Sequence, residues 1–379
     1  MEQRVRFVVR AESGAERLGA LCEEFGIDRT TGWRWLKRRA EAGSIEELGE
    51  KSRRPIHSPA ETKKPEQERV LALRKQYGWG GLKLEVMLRR EGIELTVSTI
   101  NRILRRHGVI AEEDSQQPAR KRFEREKPNQ LWQMDIKGVA DAYAARHGRI
   151  YPLSILDDHS RYAVRLTGLK QPTGAAVDKV LISAFEECGV PKAMLMDHGV
   201  PWWAPSNGHG LTQLSVSLMK QGIRLYFSGI GRPQTQGKVE RFHRTLEQQM
   251  QRASAGFPGW SKLLSQFRQE YNHVRPHQAL GMETPAVRYQ MGTRAYNPRP
   301  PRWEYEQGSV VTKLNSKGCV TYGSERYFVC EALSGEEVCV ERLGGTVLVR
   351  YRHTYVREID PSTRRTRPLV LPSDGKVKA

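Results

Sequence analysis

The sequence predicts a multidomain chain with three textures. Two α-helical helix-turn-helix units come first, an α/β core with a mixed sheet flanked by helices follows, and a small all-β domain closes the chain. Three observations carry this reading. As far as Ile110, apolar residues recur at helical spacing between glycine-bearing turns. From Leu131, short apolar runs alternate with segments of helical period. After Arg299, only short β-type runs remain, separated by turn residues. The expected boundaries are 1–54 and 62–112 for the two helical units, 113–130 for a basic linker, 131–295 for the core, 302–359 for a small β-barrel and 360–379 for a basic tail. With 379 residues there is ample chain for several cores.

In the first unit, Leu18, Leu21 and Phe25 share one face of a short helix that Gly26 ends. After a short turn a second helix follows, with Thr30 or Thr31 as its N-cap and with Trp33 and Leu36 directed inward. It carries Arg29, Arg34, Lys37, Arg38 and Arg39, the pattern of a recognition helix, and Arg34, Lys37 and Arg38 are its expected DNA contacts. A small bundle with a solvated basic face is the alternative. The second unit reads as three helices, EQERVLALRKQYG, LKLEVMLRREG and VSTINRILRRHG, with the turn GWGG after the first. The last has Ser98 or Thr99 near its start and Gly108 past its end. It presents Arg102, Arg105 and Arg106 as a second set of DNA contacts. KSRRPIHSPAETKKP reads as a linker between the units. In the next linker, Arg120, Lys121 and Arg122 are placed to follow a phosphate backbone.

The core begins with the strand LWQMDIKGV around Asp135. RIYPLSILDD and RYAVRLTGL form a strand pair joined by the turn Asp157 to Ser160. TGAAVDKVLISAFEECG is a helix closed by Gly189, and AMLMD is a strand ending in Asp197. LTQLSVSLMKQG is a helix and IRLYFSG a strand. The loop IGRPQTQG, in which Gln236 and Gly237 shape the approach, opens the helix KVERFHRTLEQQMQRA. The later β runs are GSVVTKLN, CVTYG, RYFVC, EEVCVERL and TVLVRYR, and the tail beyond is expected to be loosely ordered.

Composition narrows the partner. Lys and Arg number 62 against 43 Asp and Glu, a formal net charge of +19. That surplus points to a polyanion, nucleic acid ahead of a membrane surface. The chain has no apolar run long enough to span a bilayer, and its polar first residues do not read as a signal peptide. Five widely spaced cysteines without a CxxC pair suggest neither a disulfide framework nor a cysteine zinc site. The expected compartment is a reducing cytoplasm.

Three acids stand where stability alone would not put them. Asp135 interrupts an apolar strand, Asp197 ends another, and Glu240 lies in the first turn of a helix. A carboxylate in or beside a core costs several kcal/mol unless paired or metal-bound. Strand ends and a helix start can converge at one sheet edge, where three acids need cations between them. Oxygen-only donors favour Mg²⁺, with Mn²⁺ as substitute, over zinc. Two such ions stabilise the attacking and leaving oxygens of a phosphodiester, so the inferred chemistry is phosphoryl transfer on DNA. Singly, each acid has an ordinary structural role. Asp157 and Asp158 read as common turn acids, and Cys188, Asp141 and Asp178 receive no role. Lys238, Arg241 and Arg244 are expected to hold phosphates beside Glu240. His243, three residues after Glu240, lacks a second matching motif and is not read as a ligand. Trp202 and Trp203 could stack on DNA, with packing against a neighbouring helix favoured.

LWQMDIKG, LMDHGVPW, PQTQGKVERFHRTL and YNHVRPHQALGMETPAVRY together resemble the DDE transposases of bacterial insertion sequences, which share the retroviral-integrase catalytic core. The resemblance covers nearly the whole chain. It implies an RNase H-like core, a metal-binding triad of Asp135, Asp197 and Glu240, two metal ions per site, and cleavage followed by strand transfer. It further implies double-stranded DNA as partner at transposon ends and target, synapsis by a dimer or higher assembly, a possible accessory ATPase, and a bacterial, nucleoid-associated setting. His198 stands where the family usually has Asn, and the stretch from Asp197 to Glu240 is longer than usual. Arg275, Pro276 and His277 belong to a family-specific turn of structural character. The alternatives are a catalytically silent DNA-binding regulator or remnant transposase, and a nuclease built on the same core.

Overall fold

Asp28 decides where the basic helix of the first unit begins. Its carboxylate accepts a hydrogen bond from Thr30 N at 2.9 Å, so Asp28, not Thr30 or Thr31, is the N-cap. The computed structural model describes residues 2–50, 61–109, 124–138, 141–204, 210–228, 237–253 and 256–369. They fall into two compact units, Met1–Gln67 and Glu68–Ala379.

The first unit packs α1 (Glu2–Glu12), α2 (Leu18–Glu24) and α3 (Arg29–Ala42) around Phe7, Val8, Leu21, Cys22 and Leu48. Sequence reasoning missed α1, whose Phe7 meets Phe25 and Trp35 edge-on, each at 5.5 Å. Trp33 corrects the expectation that it turns inward. It is 64% exposed, and Trp35 packs in its place. Gly32 explains the close approach of α3 to α1, because a Cβ there would sit 2.7 Å from the Phe7 ring.

In the second unit, α4 (Lys64–Tyr77), α5 (Gly81–Arg90) and α6 (Val97–Arg106) enclose Val70, Leu73, Trp79, Leu84, Ile100 and Leu104. Thr96 caps α6 by accepting from Thr99 N, which corrects the choice of Ser98 or Thr99.

The core follows as β1 (Trp132–Ile136), α7 (Asp141–His147), β2 (Tyr151–Asp157), β3 (Ala163–Leu169), α8 (Gly174–Cys188), β4 (Ala193–Met196), β5 (Trp203–Ala204), β6 (Gly210–Leu211), α9 (Gln213–Lys220), β7 (Arg224–Phe227), α10 (Gly237–Ala253), α11 (Trp260–Gln269) and α12 (Pro285–Arg288). Among the described residues the sheet order is β3-β2-β1-β4-β7. β2 runs antiparallel to both β1 and β3, whereas β1, β4 and β7 are parallel. This is a mixed sheet, flanked by helices as expected. Side chains alternate between its faces. Trp132, Met134, Leu153 and Ile155 pack with α8 and α9. Leu156, Ala163 and Leu166 pack with Val239, Phe242 and Leu246 of α10 and with α11.

The C-terminal β region comprises β8 (Val310–Lys313), β9 (Cys319–Tyr322), β10 (Glu325–Phe328), β11 (Glu337–Leu343), β12 (Thr346–Tyr351), β13 (Thr354–Asp360) and β14 (Arg365–Pro368). Among the described residues these form a sheet ordered β14-β13-β12-β11-β8 and a separate β9-β10 hairpin around one core, in place of the barrel expected over 302–359. Pairing continues past 359, because β14 lies antiparallel on β13. Arg367 reaches Glu358 across the two strands at 2.8 Å, a polar pairing that a hydrophobic-pattern reading does not register. None of the five cysteines is in a disulfide among the described residues. No helix among the described residues is long and apolar enough to cross a membrane.

Candidate active site

β1 and β4 set the first two acids side by side. The parallel register pairs Trp132 with Met194 and Gln133 with Leu195. Continued by two residues, it brings Asp135 level with Asp197, which follows directly on β4. Neighbouring strands lie about 4.8 Å apart. Asp135 pairs with Ser154 of β2, on the sheet face that α10 covers. Glu240 stands in the first turn of α10, exposed, while Val239, Phe242 and His243 of the same helix are buried. The amphipathic pattern of α10 therefore fixes which way Glu240 cannot face, and the helix start also favours an acid there.

Electrostatics tie the three together. Burial, reinforced by the charge on Asp197 and less by that on Glu240, pushes the Asp135 carboxyl up to about 7. Its Oδ1 accepts from the Ile136 main-chain N at 2.9 Å. Asp197 Oδ1 accepts from Gly199 N at 3.0 Å and from the Trp202 indole at 2.9 Å. Trp202 is 1% exposed and Trp203 6% exposed, so both pack inward and neither presents a stacking face. The Trp202 indole N–H instead orients Asp197. Trp203 leans on His198, ring edge to face at 4.7 Å, and on Phe227.

The acids share a field without forming a closed cluster. Among the described residues, no three of His, Cys, Asp or Glu approach closely enough to hold a metal ion. The donor set still suits a hard divalent cation, since it is all carboxylate oxygen. The repulsion that lifts Asp135 is the repulsion such a cation offsets.

His243 is the neighbour that sequence reasoning dismissed. Its Nδ1 lies 3.4 Å from Asp135 Oδ2, and its Nε2 hydrogen-bonds Ser154 Oγ at 2.9 Å. Burial, with Lys137 adding, lowers it to about 4, so the imidazole is neutral at physiological pH. The available signal was its place one turn after Glu240 on the buried face of α10.

Lys238 departs from the expected phosphate contact. Its ammonium pairs with the buried carboxylate of Asp158, and burial brings it down to about 8 against the opposing pull of that carboxylate. Asp157 accepts from Ser160 N and Oγ and from Asn129 N, so it closes its turn as expected. Arg241 and Arg244 are exposed on α10. On α6, Arg102, Arg105 and Arg106 are exposed opposite the buried Ile100, Ile103 and Leu104. In the first unit Arg34 and Lys37 are exposed and Arg38 is half-buried; Lys37 lies 3.7 Å from Glu41. Arg120, Lys121, Arg122 and Gln236 lie outside the described residues. Sequence reasoning also missed Lys83 of α5, which burial and the charges of Arg275 and Arg241 lower to about 7. Arg275 covers the Trp79 ring at 5.5 Å.

The chain is similar to known proteins over its core. Two descriptions of the integrase core domain match residues 125–233 and 221–285. A 31.7 kDa protein of insertion element IS407 from Burkholderia multivorans is 27% identical over 261 residues, 62% of this chain and 85% of that protein. The transposase for transposon Tn552 from Staphylococcus aureus is 29% identical over 138 residues, 33% of this chain and 27% of its own. The Gag-Pol polyprotein of baboon endogenous virus is 28% identical over 150 residues, which is 39% of this chain but only 8% of the polyprotein. Residues 125–285 match the integrase core domain, and the chain is similar there to proteins of insertion elements, transposons and retroviruses.

Proposed function

We propose that this chain is a DNA transposase that binds transposon ends and catalyses phosphodiester cleavage and strand transfer, with Asp135, Asp197 and Glu240 as ligands of two Mg²⁺ ions. The observation that carries the reading is the Asp135 carboxyl, half-buried on the sheet and raised by that burial and by the charges of Asp197 and Glu240. Divalent ions there, when bound, supply the positive charge that a phosphodiester needs during in-line displacement. The chain's own groups bind and orient. Trp202 fixes one Asp197 oxygen, and neutral His243 faces Asp135 without adding a competing charge. Arg241 and Arg244, on the exposed side of α10, suit phosphate contacts, as do Arg102, Arg105 and Arg106 on α6 and Arg34, Lys37 and Arg38 on α3. Water or a DNA 3′-hydroxyl is the nucleophile. Pairing of two ends calls for a dimer or larger assembly, and the setting is the bacterial cytoplasm at the nucleoid. An accessory ATPase remains part of the proposal.

A second reading has one observation in its favour. The three acids are not at metal-holding distance, as would also hold for a silent DNA-binding regulator. The test uses the purified chain with DNA carrying the sequences that bracket its reading frame, in Mg²⁺ or Mn²⁺. Cleavage and joining by the parent, abolished in Asp135→Asn, Asp197→Asn and Glu240→Gln with end binding retained, is the expected result. Binding without any nicking in either ion establishes the regulator.

A further inference from the structure

We propose that Asp158 is a positioning residue that sets Glu240 against Asp135, by tying the strand that carries one acid to the helix that carries the other. This rests on the reading of Asp135, Asp197 and Glu240 as cation ligands. Asp158 is 1% exposed at the start of the β2–β3 turn, directly after β2. Its Oδ1 accepts from Gln133 Nε2 at 2.7 Å and from the Lys238 ammonium. Its Oδ2 accepts from Arg125 N at 2.8 Å, and its main-chain oxygen takes a further bond from Lys238 Nζ at 3.1 Å.

The placement of the two partners is what gives the contact a purpose. Gln133 precedes Asp135 by two residues in β1, and Lys238 precedes Glu240 by two residues in α10. One carboxylate oxygen therefore grips both acid-bearing elements at matching distances from their acids. Gln133 supports the same view. Its amide turns Nε2 to Asp158 although its buried Oε1 then has no partner among the described residues. Further along α10 the helix is held to β1 again. His243 faces Asp135 at 3.4 Å, and Glu247 pairs with Lys137 at 3.5 Å. The Asp158 contact is the tie at the first turn, where Glu240 is. A buried, hydrogen-bonded ion pair is a poor source of net stability but a strict fixer of geometry. Among the described residues, the side chain of Asp157 next to it bonds within its own turn and to Asn129.

The experiment compares the full chain with Lys238→Met, Lys238→Arg, Asp158→Asn and the pair Asp158→Asn/Lys238→Gln. Three quantities are read: amide hydrogen exchange of the first turn of α10 in metal-free protein, the Mn²⁺ concentration at half-maximal thermal shift, and joining rate at saturating DNA. In Lys238→Met and Asp158→Asn, exchange in that turn rises about tenfold, as expected for losing one charge-assisted bond, while exchange in α8 is unchanged. The Mn²⁺ midpoint rises and joining slows with end affinity intact, and Lys238→Arg recovers part of both. The neutral pair strands no buried charge, so it decides the matter if a single variant does not fold, and it shows the same shifts. Exchange and Mn²⁺ midpoint at parental values in the folded variants overturn the proposal. A parent that neither responds to Mn²⁺ nor joins DNA sinks the metal-ligand reading instead, and the exchange arm still decides the tether.

Discussion

The imidazole of His243 lies 3.4 Å from the carboxylate of Asp135, one helical turn beyond Glu240. Its other nitrogen meets Ser154 Oγ at 2.9 Å, and Ser154 is the cross-strand partner of Asp135. The ring thus bridges the two strands at the acid. His243→Ala leaves a cavity and a buried hydroxyl without its partner, and is expected to cost about 2–3 kcal/mol. Urea unfolding checks this, and a variant as stable as the parent contradicts the bridging role.

Asp135 makes stability depend on pH. Its carboxyl rises to about 7 in the folded chain, above its ordinary value of 3.8, so the folded state holds the proton more tightly than the unfolded state. Without divalent cations, stability contributed by this group is present at low pH and lost as pH climbs from about 4 to about 7. Asp135→Asn removes the loss. The variant should exceed the parent by about 1–3 kcal/mol at pH 8, with no advantage at about pH 4. Urea melts in EDTA across that range measure it, and a variant weaker than the parent at pH 8 refutes it.

Trp202→Phe keeps the ring in the core but removes the indole N–H that Asp197 Oδ1 accepts at 2.9 Å. The expected cost in stability is about 1–2 kcal/mol, since the acceptor is charged and Gly199 N still serves it. Joining should fall while end binding stays at the parental level. Equal loss of both would point to misfolding, which circular dichroism detects.

The net charge of +19 predicts DNA affinity that falls steeply with salt. Replacing Arg102, Arg105 or Arg106 on the exposed face of α6 should lessen the slope of log affinity against log salt by about 1 for each phosphate contact removed. Fluorescence anisotropy over a salt series gives the slope. An unchanged slope in the triple variant removes α6 from the DNA surface.

Period and punctuation made β1–β4, β7, α8, α9 and α10 of the core legible, whereas α7, α11 and α12 were missed. The short apolar strands around Asp135 and before Asp197, and the helix after the loop at Gly237, stand where the pattern puts them. Partners across the chain were not legible. Trp33 and Trp35 have the same chemistry at adjacent spacing, and only α1, which sequence reasoning missed, decides which one is covered. Asp158 and Lys238 looked like a turn acid and a phosphate contact because their meeting joins residues far apart in the chain. Arg367 extended the last sheet through a charge pair with Glu358 that carries no hydrophobic signal. Trp202 was rightly weighed toward packing, but its hold on Asp197 depends on the turn at Gly199.

The order in which the acids arrive has a consequence for synthesis. β1 can zip onto the β2–β3 hairpin early, whereas its parallel pairing with β4 waits for the α8 crossover, and α10 covers the same face only later still. A chain emerging from the ribosome therefore holds Asp135 on a finished hairpin long before Asp197 and Glu240 exist beside it.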